Sequence, residues 1–251
     1  MAVNVILLAG AANTGPLREV SPATNEALVE INGRPMVQYV LDALGESREV
    51  RRIVVVSPPG ELEPHVTGRN LEFVPSRNHI VDNVVEAAKV LPPDEEFLIV
   101  SCDVPLITGQ MVDDLIALCR RTPGELYYPI IEKGVAEKRF PQTRRTYVTL
   151  REGVYTGGNI FLCHPSIVER AAPRVRGFLD NRKSPLKMLQ VIGWIFAIRY
   201  MLLKNLTLKE LEAKVSQMLD VKGVVVVCPW PEVGVDVDKP SDLELVRSIL
   251  K

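Results

Sequence analysis

The feature that most constrains this chain is the order of its apolar runs. Short β-branched stretches alternate with longer stretches of helical periodicity, starting at Val3 to Leu8. That order specifies a parallel sheet with helices on its faces. Val3 to Leu8, Arg52 to Val56, Leu71 to Val74 and Phe97 to Val100 read as strands. Pro35 to Leu44 and Val81 to Leu91 read as the helices among them, with Pro35 at a first helical position. Thr108 caps a further helix to about Arg121. Leu126 to Ile131 and Tyr147 to Leu150 then follow as strands, which breaks the strict alternation and calls for an antiparallel excursion in a mixed sheet.

Ile160 to Cys163 reads as a strand, Pro165 to Ala172 as a helix, Gly223 to Cys228 as a last buried strand and Pro240 to Leu250 as a closing helix. Residues 186–203 are apolar around almost the whole helical circumference, so a helix there must be buried. It is too short for a span of about 20 residues and contains Gln190 and Arg199, which argues against a transmembrane segment. A core or homodimer-interface helix is the first reading and a lipid-facing surface the second. Thr207 to Leu219 continues as an amphipathic helix, with Thr207 and Glu210 spaced as a capping box.

No linker-like stretch divides the 251 residues, so one domain is expected, with a helical insert at about 183–220. The 30 basic and 31 acidic residues are interspersed, which speaks against a nucleic-acid binder. Cys102, Cys119, Cys163 and Cys228 lie too far apart for a C-x-x-C metal site or a disulfide framework; they read as buried thiols of a reducing cytoplasm. Val3 to Leu8 lacks the charged flank of a secretory signal.

Three stretches carry candidate chemistry. Leu8-Ala9-Gly10-Ala11 opens a loop of small residues where a strand ends, so main-chain N–H groups can approach phosphates, although a purely structural turn has the same composition. It matches neither a Walker loop nor a Rossmann fingerprint. Asp103 follows a buried strand and precedes Pro105, which projects its carboxylate toward the crevice at the sheet's edge, where Mg²⁺ finds one or two carboxylates and phosphate oxygens; the competing reading is a turn-capping Asp. In Val235-Asp236-Val237-Asp238, a period of two sends both carboxylates to one face, which favours a metal site over idle surface charge. His65, His79 and His164 show no metal or triad spacing.

Taken in order, Leu8-Ala9-Gly10, Glu26 to Met36, Cys102 to Leu106, Tyr155-Thr156-Gly157-Gly158-Asn159 and Asp236 to Leu243 resemble the nucleotidyltransferases, in the branch of the molybdenum-cofactor guanylyltransferase (MobA-like) domain. The resemblance spans residues 3 to 250 and explains the insert least. It implies a Rossmann-like, three-layer α/β fold of glycosyltransferase-A type, with a mixed, mostly parallel sheet. It also implies an NTP over Leu8, Ala9, Gly10 and Ala11, Mg²⁺ on Asp103 with Asp238 or Asp236, and a phosphorylated small-molecule acceptor along Thr156, Gly157, Gly158 and Asn159.

The family's loop normally adds a second Gly, an Arg, and a Lys in a Pro-Lys-x-Leu stretch. Here those places hold Ala11, about Gly15, and Asn25-Glu26-Ala27-Leu28, so Glu26 stands where a cation is expected. Arg18 is the nearest replacement and Arg34 the second. Arg144, Arg145, Arg174, Arg176, Arg182 and Lys183 crowd a later region and offer grips for an acceptor phosphate. The expected function is an Mg²⁺-dependent nucleotidyltransferase that releases pyrophosphate. The alternatives are a nucleotide-binding or regulatory protein on the same fold and a metal-dependent glycosyltransferase.

Overall fold

The computed structural model describes residues 2–181 and 206–250. In chain order the elements are β1 (Val3–Leu8), the hairpin strands β2 (Glu30–Ile31) and β3 (Arg34–Pro35), α1 (Met36–Glu46), β4 (Val50–Ser57), β5 (Leu71–Pro75), α2 (Ile80–Ala88) and β6 (Phe97–Ser101). Then come α3 (Gly109–Cys119), β7 (Leu126–Glu132), α4 (Lys133–Arg139), β8 (Val148–Leu150), β9 (Gly153–Gly157), β10 (Ile160–Cys163) and α5 (Val168–Asn181). Past the insert lie α6 (Leu208–Leu219), β11 (Gly223–Val227) and α7 (Pro240–Ile249). The insert helix expected at 186–203, and with it the dimer surface, lies outside the described residues.

β5, β4, β1 and β6 are parallel neighbours, β10 runs antiparallel to β6, and β7 runs antiparallel to β10 and β9 and parallel to β11. Thus β9 and β10 run against the other strands of a mixed, mostly parallel sheet. They are two segments of one ribbon along β7, interrupted at Gly158 and Asn159. The interruption falls beside the end of β6, where the carbonyl of Asn159 accepts a hydrogen bond from the Ser101 amide at 3.4 Å.

The strands are continuous apolar runs because both faces are covered. Val5, Leu7, Val55 and Val100 pack under α1 and α3, while Ile6, Val54, Val56 and Phe97 pack under α2 and α5, which gives the three layers expected. A smaller cluster of Leu17, Val29, Ile31, Phe140, Val235, Val237 and Leu243 ties the loops around β1 to α7. Among the described residues no helix is long and apolar enough to cross a membrane.

Several local expectations shift. Pro35 is the cap of α1, with φ −55° and ψ 137°, and Met36 is the first helical residue, because Pro35 closes the β2–β3 hairpin. The turn of that hairpin, Asn32-Gly33, has φ of 51° and 82°, the left-handed values that Asn and Gly tolerate best. The helix expected to stop at Ala172 is a short turn followed by α5, which continues through Pro173 to Asn181. Tertiary contacts outweigh the lost main-chain bond: Ala171 and Val175 pack on Val221 and Leu219, and Arg176 reaches Asp82 of α2 at 2.7 Å. β9 and α4 had no expectation. The caps at Thr108 and Thr207 form as their spacing predicts, the second as a full capping box with Glu210.

Candidate active site

Three loops converge at the carboxyl edge of the sheet. The first leaves β1. The Ala9 amide donates to the Val56 carbonyl at 2.9 Å, and Gly10 passes so close to β5 that a Cβ there would sit 2.7 Å from that of Ser76. Residues 11–14 fold back on 24–26 through Asn13 N–H to the Thr24 carbonyl at 2.8 Å and Glu26 N–H to the Ala11 carbonyl at 3.0 Å. Buried Asn25 fixes the fold-back by donating from Nδ2 to the Ala9 carbonyl at 3.0 Å and accepting from the Ala27 amide at 2.8 Å. No hydrogen bond within the described residues engages the amides of Gly10, Ala11 and Ala12. The loop therefore presents small, exposed residues with main-chain donors, the composition that suits an anion.

Arg18 does not face that anion site. Its guanidinium donates to the carbonyls of Pro22 and Ala23, the latter at 3.0 Å, and so braces its own loop. Arg34 pairs with Asp42 on α1.

The second loop follows β6. The Cys102 amide donates to the Leu8 carbonyl at 3.2 Å, which sets Asp103 beside the first loop. The Asp103 carboxyl is buried, and its Oδ1 has no hydrogen-bond partner. Burial pushes its pKa up to about 7; the Ser101 hydroxyl opposes the shift, and the charges of Asp236 and Asp238 add to it.

The third loop carries those two residues. Val235 and Val237 are 3% and 1% exposed and anchor it to the core, so the alternating carboxyls of Asp236 and Asp238 turn the other way. The Val237 amide donates to the Asp103 carbonyl at 3.0 Å. Asp238 is pushed up to about 6 by burial and then by the charge and hydrogen bond of Asp236, with Asp242 and Glu26 contributing further. Asp236 is also engaged by Arg145, whose Nη1 donates to its Oδ1 at 3.1 Å.

The ribbon interruption completes the site. Thr156 is buried and its Oγ1 accepts from Arg145 Nε at 3.2 Å. The Gly157 carbonyl accepts from Arg145 Nη2 at 3.2 Å, and the Gly158 and Asn159 amides donate to Pro129 and Val233 carbonyls at 2.9 Å. The Asn159 side-chain Nδ2 is buried without a partner. Asn159 and Asp103 both neighbour Ser101, so an unsatisfied donor and an unsatisfied acceptor occur within one small region. Leaving such groups unpaired costs about 1–3 kcal/mol each, so the region is suited to a polar ligand.

A family model described as the MobA-like NTP transferase domain matches residues 5–192. The chain belongs to that family. Among solved structures, this MobA-like chain is similar to a hypothetical transferase from Thermus thermophilus, with 34% identity and a TM-score of 0.83 over 97% of this chain and 100% of the other. A CMP:2-keto-3-deoxy-manno-octonic acid synthetase complexed with CTP shares the fold at 17% identity and a TM-score of 0.61, over 99% and 98% of the two chains. A curated relative from Shewanella sp. (strain W3-18-1), named 8-amino-3,8-dideoxy-manno-octulosonate cytidylyltransferase, is 30% identical over 116 residues. That match covers 42% of this chain and 47% of the relative, about half its length.

Among the described residues no three His, Cys, Asp or Glu side chains form a preassembled metal cage. Mg²⁺ does not require one, because it keeps several waters and takes one or two carboxylates plus substrate phosphates. The partnerless Oδ1 of Asp103 and the raised pKa of Asp238 fit such a two-carboxylate site. Asp236, bonded to Arg145, fits less well as a direct ligand.

Of the basic residues expected to crowd the acceptor, Arg145 alone among those described bonds to site residues. Arg174 pairs with Asp220 and Arg176 with Asp82, both at the α5 surface, and Arg144 is exposed. Arg182 and Lys183 lie outside the described residues. The histidines have local roles: His79 caps α2 and meets Asp180, and His164 caps the turn before α5. All four cysteines are free and buried. Ser101, which carried no signal of its own, is a site residue because it ends β6 and its side chain hydrogen-bonds the Asp103 carboxyl in the turn that follows.

Proposed function

We propose that the chain is a nucleotidyltransferase that moves an NMP group from an NTP to a small anionic acceptor and releases pyrophosphate. The observation that carries this reading is the pair of buried, partnerless atoms, Asp103 Oδ1 and Asn159 Nδ2, on residues that both neighbour Ser101 at the end of β6. The amides of Gly10, Ala11 and Ala12 bind triphosphate oxygens. Thr156 to Asn159 lie along the acceptor, where Asn159 donates from Nδ2 and glycines 157 and 158 admit close approach. Asp103 and Asp238 would hold Mg²⁺, which when bound offsets the negative charge of the triphosphate. The acceptor oxygen attacks the α-phosphorus and pyrophosphate departs. No side chain forms a covalent intermediate, so the protein acts by orientation and charge placement.

The names of the relatives favour CTP as the first nucleotide to test, and a sugar-acid or sugar-phosphate acceptor over the molybdenum-cofactor role that the motifs suggested. The four buried free thiols fit a reducing, cytoplasmic compartment. The test is pyrophosphate release over the four common NTPs with Mg²⁺ and a panel of anionic sugars. Turnover with one preferred nucleotide, lost in Asp103→Asn, supports the assignment; turnover unchanged in that variant removes Asp103 from the site.

A second reading, a nucleotide-binding protein with transfer weakened or lost, draws on Glu26 and Arg18. Burial raises the Glu26 carboxyl, and Arg18 is spent on main-chain carbonyls. Calorimetry that finds Mg²⁺-dependent nucleotide binding, with no turnover on any acceptor, selects this reading.

A further inference from the structure

We infer that Glu61 is a positioning residue for the nucleotide, because its carboxylate clamps the fold-back that aims the amides of Gly10, Ala11 and Ala12. The inference rests on the nucleotide binding that both readings above share. Thr24 Oγ1 donates to Glu61 Oε1 at 2.9 Å, and Asn25 Nδ2 donates to Glu61 Oε2 at 3.2 Å. Thr24 and Asn25 lie opposite the arm that carries those amides: Asn13 N–H reaches the Thr24 carbonyl, and Ala12 bridges to Asn25. Among the described residues, Glu61 is the one side chain from outside residues 9–29 that hydrogen-bonds this loop.

Glu61 is itself held in place. Its amide donates to the Pro58 carbonyl at 3.3 Å, and Leu62 beside it is fully buried in the main core. The clamp therefore ties the loop after β1 to the turn after β4, its parallel neighbour. Asn25 is 1% exposed and fully committed: Nδ2 is shared between the Ala9 carbonyl and Glu61, and Oδ1 accepts from the Ala27 amide. Without the Glu61 carboxylate, one donor of this buried amide is unpaired, and the side chain that joins Ala9 to residues 25–27 loses its fixed orientation. The amides of Gly10, Ala11 and Ala12 make no hydrogen bond of their own within the described residues, so their aim depends on the two ends of the fold-back. A carboxylate close to a triphosphate loop carries the wrong sign of charge for binding, so its value there is geometric.

The experiment is titration calorimetry of ATP, CTP, GTP and UTP with Mg²⁺ on the full chain, with Tm recorded for each variant. Glu61→Ala is expected to weaken the preferred nucleotide about tenfold, although it removes a negative charge from the neighbourhood of an anion. Glu61→Gln is expected to stay within about twofold of wild type, because its Oε1 can accept from Asn25 while its Nε2 donates to Thr24 Oγ1. A Coulombic role predicts tighter binding in both variants. A merely structural role lowers Tm in Glu61→Ala and leaves affinity unchanged at temperatures where the protein is folded. Unchanged or tighter binding in folded Glu61→Ala, or Glu61→Gln as weak as Glu61→Ala, overturns the inference and leaves nucleotide binding intact. Wild-type protein that binds none of the four nucleotides overturns both. Should Glu61→Ala fail to fold, Thr24→Val decides: it deletes the exposed bond alone and is expected to weaken the nucleotide about threefold, whereas unchanged affinity rejects the clamp.

Discussion

The main-chain amide of Val237 donates a 3.0 Å hydrogen bond to the carbonyl of Asp103. That bond joins the end of β6 to the loop before α7, so carboxyls remote in the chain raise one another's proton affinity. Their electrostatics, and the loops they share, yield specific expectations.

The first concerns pH. Asp103 rises from 3.8 to about 7 and Asp238 from 3.8 to about 6, so between those limits the folded state binds protons that the unfolded state has released. Stability from these groups is full below about pH 4 and lost as pH rises through the folded values. The Asp103 shift alone is worth about 4 kcal/mol at most, at 1.36 kcal/mol per pKa unit. Thermal melting of metal-free protein from pH 4.5 to 8 should show a fall in Tm that is shallower in Asp103→Asn. An identical slope in the two proteins would refute the buried-carboxyl account.

The second concerns the reaction. Asp103→Asn keeps the shape and removes the charge, and a loss of about 10²- to 10³-fold in kcat is expected, the scale for removing one charge-stabilising group. Asp238→Asn should weaken Mg²⁺ dependence in the same direction, whereas Asp236→Asn should act mainly on acceptor KM. Steady-state kinetics at several Mg²⁺ concentrations separates the three.

The third concerns the acceptor strand. A Cβ at Gly157 would overlap the Tyr128 hydroxyl and come within 3.1 Å of its ring carbon Cζ. Gly157→Ala should therefore cost about 1–3 kcal/mol in urea unfolding and raise acceptor KM. Tyr128→Phe in that background should recover part of the loss, since the hydroxyl is the nearest obstacle; no recovery would show that the strain lies elsewhere.

The fourth concerns the cap of α6. Thr207 Oγ1 accepts from the Glu210 amide at 3.1 Å, and Glu210 accepts from the Thr207 amide at 3.0 Å. Thr207→Ala is expected to cost about 1 kcal/mol in denaturant unfolding. Because α6 packs on β11 and on the Leu150–Tyr155 cluster and makes no contact with the Leu8–Ala11 loop, nucleotide affinity should not change.

The fifth addresses the missing cation. Glu26 contributes to raising Asp238 and is itself partly desolvated. Glu26→Lys reverses that charge and should tighten NTP binding about tenfold, by the Coulombic gain near a triphosphate. Equal affinity in the two proteins would place Glu26 away from the phosphates.

Much of the fold was legible because strand runs, helix periods and caps are local. The parallel half of the sheet, the caps at Thr108 and Thr207 and the alternation of Val235 and Val237 with Asp236 and Asp238 all follow from spacing. The break in the β9–β10 ribbon was not legible in the same way. Thr156 to Asn159 drew notice as a motif, yet the strand containing Thr156 exists because it pairs with Ile130 to Glu132, a long-range contact. Likewise α5 runs through Pro173 because α2 and the end of α6 with Val221 hold it, against local preference.

The sequence by itself determined which residues could meet at the sheet edge, since motif order and periodicity fix the strand ends and the face each side chain takes. Only the tertiary structure decided what those residues do there. Arg144 and Arg145 are adjacent and chemically identical, yet one is exposed and the other forks across Thr156, Gly157 and Asp236. Asp103 and Asp236 are both carboxylates, yet one is buried with a free oxygen and the other is held by a guanidinium. Desolvation and Coulombic coupling depend on what surrounds a group in space, and those neighbours come from distant parts of the chain.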